Sequence, residues 1–412
     1  MVQNAYEVLE ERGFFKQCSH PEELKELLGR QSVTFYIGFD PTADSLHIGH
    51  YVALMSMAHM QRAGHRPIAL LGNGTAMIAD PSGKTELRGM LTVEQLDHNA
   101  ECFKAQMSRL IDFSDDKALM VANADWLRPL NFLGFMREVG VHFNVNRMLA
   151  ADCYKTRMAE GGLTFFEMSY MLMQSYDFLV LNQRYGCVLQ MGGDDQWSNI
   201  LAGADLIRKM ERKSAFALTT TLLTNSDGNK MGKTEKGALW LDKSKCSVFD
   251  FYQYWRNVED RDVERCLALL TFLPMDEVRR LGALQDSAIN EAKKVLAFTL
   301  TEQVHGTEEA QKARDAAEAL FGGGGNSAHM PTCVLSDEQV AQSGLRIPDL
   351  LVLSGLAKSK SDARRLIESG AVRAADAPVA DFTLALRPED FAGDGLILQK
   401  GKKGFCKLRL GE

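Results

Sequence analysis

The stretch SLHIGHYVAL, residues 45–54, sets two imidazoles three residues apart, His47 and His50, where an apolar-periodic helix should begin. A helix start presents unpaired N–H groups and a positive dipole end, which suits phosphate. Imidazoles at i and i+3 share one face of that first turn and can add donors to it. Gly49 between them leaves room for a flat base or ribose against the backbone. Asp40-Pro41-Thr42, just upstream, adds a rigid turn and a hydroxyl. The same pattern also describes two capping or core histidines, and the pair alone does not decide. Zinc is not expected, because no cysteine cluster or nearby glutamate arrangement completes a ligand set.

A second group lies about 180 residues on. NSDGNKMGKTEKG (225–237) carries Lys230 and Lys233 three apart in a loop of Gly, Asn and Ser. Two ammonium groups on a closing loop can stabilise charge as it moves onto pyrophosphate. Taken alone, the segment reads as a solvated basic loop. A third group sits in TFFEMSYMLMQSYDFLVL (164–181), a largely apolar stretch expected to form a buried helix. Tyr170, Gln174 and Asp177 fall at i, i+4 and i+7, one stripe of that helix. Buried polar groups need partners. These could be neighbouring strands, or a small zwitterion with a polar tip. Two other phosphate signatures fail: GNGTAM (72–77) lacks the third glycine of a dinucleotide loop, and IADPSGKT (78–85) has Ile78 where a P-loop needs glycine.

The elements that must position these groups follow from hydrophobic spacing. SVTFYIGFD is strand-like, HIGHYVALMSMAHMQRAG helical and RPIALLGNGT strand-like again, a βαβ unit. YGCVLQMGGDDQ supplies a later strand ending in glycines. Tyr36–Asp40, Gly72–Asp80 and Met191–Gln196 all fall at carboxyl ends of strands, where parallel sheets bind ligands. Residues 247–320 have helical spacing, and FGGGGNSAHMPTC from Phe321 has linker composition. The chain of 412 residues is long enough for two or three domains. It lacks any apolar run near the ~18 residues of a membrane span. Eight scattered cysteines without a CxxC pair and an N-terminal stretch rich in glutamate point to a cytoplasmic protein with reduced thiols. Net charge is −7, but residues 345–412 carry 12 Lys and Arg against 9 Asp and Glu, leaving 35 against 45 before them. A basic tail on an acidic body permits RNA binding there, and is equally an ordinary solvated surface.

His47-Ile48-Gly49-His50 after the first strand of that unit, followed by Lys230-Met231-Gly232-Lys233-Thr234, resembles the paired motifs of class I aminoacyl-tRNA synthetases. YIGFDPTADSLHIGH, ADPSGKTELR, FEMSYMLMQSYDF, GGDDQW and KMGKT, in this order, resemble the bacterial tyrosyl-tRNA synthetase family along nearly the whole chain. IPDLLVLSGLAKSKSDARRLIESGAVRA (347–374) resembles an S4 RNA-binding module. The resemblance implies an α/β fold: a Rossmann-like catalytic domain over 1–222 with an inserted connective segment, and a mobile loop with a helical domain over 223–320. A Gly-rich linker over 321–344 and an S4-like α+β domain over 345–412 would follow. It implies ATP-dependent activation of L-tyrosine and transfer to tRNA(Tyr), with Mg²⁺ arriving on ATP rather than in a protein cage. A homodimer through a segment near residues 135–150 is also implied, although apolar residues there suit a core equally.

Residue roles carry over where motifs match. Tyr36 and Asp177 would hold the phenol hydroxyl; Asp80, Tyr170 and Gln174 the ammonium; Gln196 would lie near the carboxyl group. Thr42, His47 and His50 would contact ATP phosphates. Gly38, Asp40, Gly49, Gly192 and Asp195 would lie near the nucleotide. Lys230, Met231, Lys233 and Thr234 would form the mobile loop, joined by Lys84 and Arg88 from another. Three positions depart from the commoner pattern: Ile37 replaces a cysteine, Asp194 a serine with no role assignable from sequence, and Gly232 the serine of the class signature. The alternatives are the tryptophanyl relative, opposed by Tyr36, Asp177 and the S4-like tail, and a retired synthetase serving only to bind RNA, opposed by the intact histidines and lysines.

Overall fold

The computed structural model describes residues 4–78, 80, 91–234, 237–321, 332–375, 377–393, 395–401 and 404–411. Side chains of Lys233, Thr234, Leu320 and Phe321 lie outside that description, as do Lys84 and Arg88 altogether. By internal packing the chain divides into two compact units, residues 1–245 with 259–292, and residues 246–258 with 293–412.

The first unit is built on six strands: β1 (Phe15–Cys18), β2 (Thr34–Phe39), β3 (Arg66–Leu71), β4 (Leu119–Ala122), β5 (Leu189–Gly193) and β6 (Phe216–Thr220). Their order is β1-β6-β5-β2-β3-β4, all parallel except the β1–β6 edge pair. Strands covered on both faces carry apolar runs rather than alternation. β3 shows this, with Pro67 through Leu71 all buried. The chain runs from β2 outward to β3 and β4, then returns to lay β5 on the other side of β2. That reversal opens a crevice beyond the carboxyl ends of β2 and β5.

The expected elements form where spacing places them. The helix Ile48–Arg62 links β2 to β3 and is buried nearly all round, with Val52, Leu54, Met55, Met57, Ala58 and Met60 inside. The helix Phe165–Tyr185 spans the polar stripe; its Thr164 cap donates its hydroxyl to Glu167 Oε2 at 2.8 Å. Its first turn departs from the buried expectation, because Phe165 and Phe166 are 60% and 43% exposed.

Two domain expectations are corrected. Residues 223–320 do not form one piece, because 223–245 and 259–292 pack with the sheet unit. Arg12 donates to the carbonyls of Ala268, Thr271 and Leu273, and Arg265 to those of Leu222 and Thr224, which ties these segments together. Nor is 321–344 all linker, since the strand Thr332–Leu335 and the helix Asp337–Ser343 fall inside it. Residues 322–331 lie outside the described ones. The strand Thr332–Leu335 pairs in parallel with the last strand of a five-stranded sheet, and Leu335 enters that sheet's core beside Leu350, Ile367, Val372, Leu398 and Leu408. The helices Ile347–Leu353 and Lys360–Glu368, then a strand Val372–Ala374, match the expected S4-like order.

Glu167 holds the entrance to the long helix. Its carboxylate accepts from Thr164 N–H at 2.9 Å and from Arg157 Nε at 2.7 Å, with both partners of the ion pair largely buried. Burial works against its charge, but Thr164 and Arg157 outweigh it and lower its pKa. Removing one partner of a buried pair strands the other's charge. Arg157→Ala should therefore destabilise the protein by about 3 kcal/mol, measured by urea denaturation, the lower end of the usual range because Thr164 remains.

Candidate active site

One hydrogen-bonded chain runs across the floor of the crevice. Tyr170 O–H donates to Asp40 Oδ2 at 2.7 Å, and Thr75 Oγ1 to Asp40 Oδ1 at 2.8 Å. Asn123 Nδ2 donates to Thr75 Oγ1 and to Asp177 Oδ2, each at 3.0 Å, while Trp126 Nε1 donates to Asp177 Oδ1 at 2.7 Å. Asn123 Oδ1 in turn accepts from Gly74 N–H at 2.7 Å. β2, the turns after β3 and β4, and the helix Phe165–Tyr185 thus converge on two carboxyl groups. Gly72 permits this, since a Cβ there would overlap Asp40 Oδ1. Asn123, Trp126 and Thr75 were not anticipated from sequence. They stand just beyond β4 and β3, so the carboxyl-end rule could have found them.

Burial pushes the Asp177 carboxyl up to about 8, against the pull of Asn123 and Trp126. It pushes Asp40 up to about 7, against Tyr170 and Thr75. Over the chain sit two polar atoms with no partner among the described residues, Tyr36 Oη and Gln174 Oε1. Tyr36 is 1% exposed, packs on Phe178 at 5.3 Å between ring centres, and has its pKa raised by burial and by Asp177. Gln196 Nε2 donates to Asp80 Oδ2 at 2.9 Å, linking the turn after β5 to this wall.

The second half of the crevice is the start of the helix Ile48–Arg62. His47 is its N-cap: Nδ1 accepts from Gly49 N–H at 3.0 Å, and His50 Nδ1 accepts from His47 N–H at 3.3 Å. Both rings are therefore capping groups, stacked 3.8 Å apart. An Nδ1 that accepts leaves the proton of a neutral imidazole on Nε2. So capping does not exclude donation through Nε2. Gly49 is required, since a Cβ would come within 2.8 Å of His47 Cε1. Thr42 lies in the turn beyond β2, with its N–H on Asp40 O at 2.8 Å.

Around β5, Gly192 leaves space against Ile200 and Gln196. The Asp195 carboxyl has its pKa raised by burial and Asp80, with Lys230 opposing. Lys230 itself is exposed, while Met231 lies beneath it, 4.0 Å from Cys266 Sγ. Lys233 and Thr234 form a two-residue strand with Gly237–Ala238. Asp194, unassigned from sequence, accepts from Gln17 Nε2 at 2.7 Å and Thr219 Oγ1 at 3.1 Å, fastening the turn to the edge strands. Ile37 is buried in β2.

The paired histidine and lysine motifs on a parallel sheet whose strand order reverses, beside a buried polar pocket, are the pattern of a class I aminoacyl-tRNA synthetase. The family model "tRNA synthetases class I (W and Y)" matches residues 29–322, and "Tyrosine--tRNA ligase SYY-like C-terminal domain" matches 326–408. The chain is 58% identical over 408 residues to a Clostridium botulinum "Tyrosine--tRNA ligase", covering 99% of each, and 58% identical to that of Fusobacterium nucleatum, covering 98% of each. A truncated mitochondrial tyrosyl-tRNA synthetase of Aspergillus nidulans superposes with a TM-score of 0.69 at 28% identity, over 77% of this chain and 94% of that one. The chain belongs to the tyrosine–tRNA ligase family, and it charges tRNA with tyrosine, using ATP as a substrate.

The raised carboxyl groups fix the sign of one pH effect. Folded Asp40 and Asp177 keep protons that the unfolded chain, with carboxyl pKa values near ~4, has lost. Their contribution to stability therefore falls as pH rises from about 4 to about 8 and levels above it. Asp177→Asn should lose part of that fall, seen as a shallower drop in Tm between pH 5 and 8.

Proposed function

We propose that the buried chain binds tyrosine and that the histidine turn and lysine loop act on ATP. The observation that carries this is the orphaned pair of buried polar atoms: Tyr36 Oη, which feels the charge of Asp177 from β2, and Gln174 Oε1, three positions before Asp177 on the helix stripe. A phenol hydroxyl would join Tyr36 to Asp177, whose two oxygens retain lone pairs beyond those used by Asn123 and Trp126. Tyr170 already donates its O–H to Asp40 and offers only lone pairs; Gln174 Oε1 is an acceptor. Both suit an ammonium group, joined by Asp80. Gln196 would lie near the carboxyl group.

The tyrosine carboxylate then attacks the α-phosphorus of ATP. The P–O bond to pyrophosphate breaks, and tyrosyl-adenylate forms without a general base. Positioning and charge stabilisation supply the acceleration. His47 and His50 would donate through Nε2 to phosphate oxygens, with Thr42 beside them, and Lys230, Lys233 and Thr234 would follow the departing pyrophosphate, with Lys84 and Arg88. Gly38, Gly49, Gly192, Asp40 and Asp195 would face the nucleoside. Magnesium arrives as part of the nucleotide, held by its phosphates. The terminal adenosine hydroxyl of tRNA next attacks the activated carbonyl, releasing AMP.

We assign a homodimer to the apolar face formed by exposed Phe132, Leu133, Val141 and Val145, beside a groove of about 360 Å³ lined by Phe135, Phe143 and Met173. Continuous apolar surface of this kind is what a second copy would cover. The compartment we assign is the cytoplasm; no helix among the described residues is long and apolar enough to cross a membrane.

Tyr36→Phe removes a hydroxyl that has no partner in the unliganded protein. Its Tm should stay at or above that of the parent. The ratio of kcat/KM for tyrosine over phenylalanine should fall by about 1 kcal/mol, one neutral hydrogen bond. An unchanged ratio would mean the hydroxyl is sensed elsewhere. The tail from Thr332 is assigned to tRNA: deleting it should spare pyrophosphate exchange and abolish tyrosyl transfer. Transfer at the parental rate would overturn that assignment.

A further inference from the structure

The lysine loop is seated on the histidine turn by its backbone, and one position in that seat admits no side chain. The loop folds back as a hairpin, with Met231 N–H on Leu223 O at 2.9 Å and Asn225 N–H on Asn229 O at 2.8 Å. Gly232 O then accepts from Leu239 N–H at 2.7 Å, Leu239 O from Ile48 N–H at 3.0 Å, and Leu46 O from Leu241 N–H at 2.9 Å. His47 pairs with Trp240 as an antiparallel bridge. Three backbone layers therefore stack in the order Gly232, Leu239, Ile48. Gly232 is buried with φ of +80°, and a Cβ there would overlap Ile48 Cγ2. Ile48, 1% exposed, lies between the two histidines in sequence and fills the first position of their helix.

We propose that the contact of the Gly232 backbone with Ile48 is a positioning element for activation. It sets the height and register of the loop, and so of Lys230 and Lys233, over His47 and His50. The glycine is needed for two reasons. Its φ lies in the left-handed region that side chains rarely adopt, and any Cβ must push the loop off Ile48. The serine of the general class signature would meet both obstacles in this seat. This inference rests on the roles proposed above for the histidines and lysines.

The test is pyrophosphate exchange in the full-length protein, with tyrosine affinity and Tm measured beside it. A misplacement of about 1 Å costs on the order of 10²-fold in rate. Gly232→Ala should therefore lower kcat by roughly that factor, while tyrosine affinity stays near its parental value and Tm falls only by the local strain. Gly232→Asn, which tolerates positive φ but keeps the Cβ, should still lose about tenfold, the part due to the Cβ. Ile48→Ala in the Gly232→Ala background removes Cγ2 and should recover about tenfold of the loss, the remainder being φ strain. Near-parental kcat in Gly232→Ala, or no recovery in the double variant, would overturn the proposal. Lys230→Ala and His50→Ala separate the two levels. If neither slows activation, the assigned roles fail; if both do and Gly232→Ala does not, only the positioning inference fails.

Discussion

Two carboxyl groups, Asp40 and Asp177, are held under the sheet's carboxyl edge, and most of the local architecture follows from keeping them there. A buried carboxyl without donors is costly in either protonation state. Here every oxygen accepts: Tyr170 and Thr75 serve Asp40, Asn123 and Trp126 serve Asp177, and Asn123 also joins the two sets through Thr75. Gly72 is glycine because Asp40 occupies its Cβ position. The turns after β3 and β4 and the long helix cannot shift independently without leaving one of these groups unpaired.

That rigidity contrasts with the opposite half of the crevice. The histidine turn uses its Nδ1 atoms to cap its own helix, while Lys230 is exposed. A pocket that must sense one hydroxyl gains from pre-formed, water-excluded partners. In the role proposed for it, this half would follow charge from one phosphate to the next, which suits donors on a loop rather than in the core. The reversal of strand order at β2 and β5 brings the two halves together, and Asp194 anchors the turn between them to β1 and β6.

Sequence by itself determined the parallel-sheet class, the paired histidine and lysine motifs, the polar stripe of the long helix and the S4-like order of the tail. These are local patterns: apolar spacing fixes element type, and motif spacing survives in one dimension. Only the tertiary structure decided that the histidines cap and can donate at once, that Asn123, Trp126 and Thr75 complete the pocket, and that Asp194 is a fastening. It also decided where the units divide, since arginine bonds to distant carbonyls leave no periodic trace. Gly232 illustrates the limit. Its departure from the class serine is visible in the chain, but the reason is a methyl group of Ile48, 184 positions earlier, which only folding brings against it.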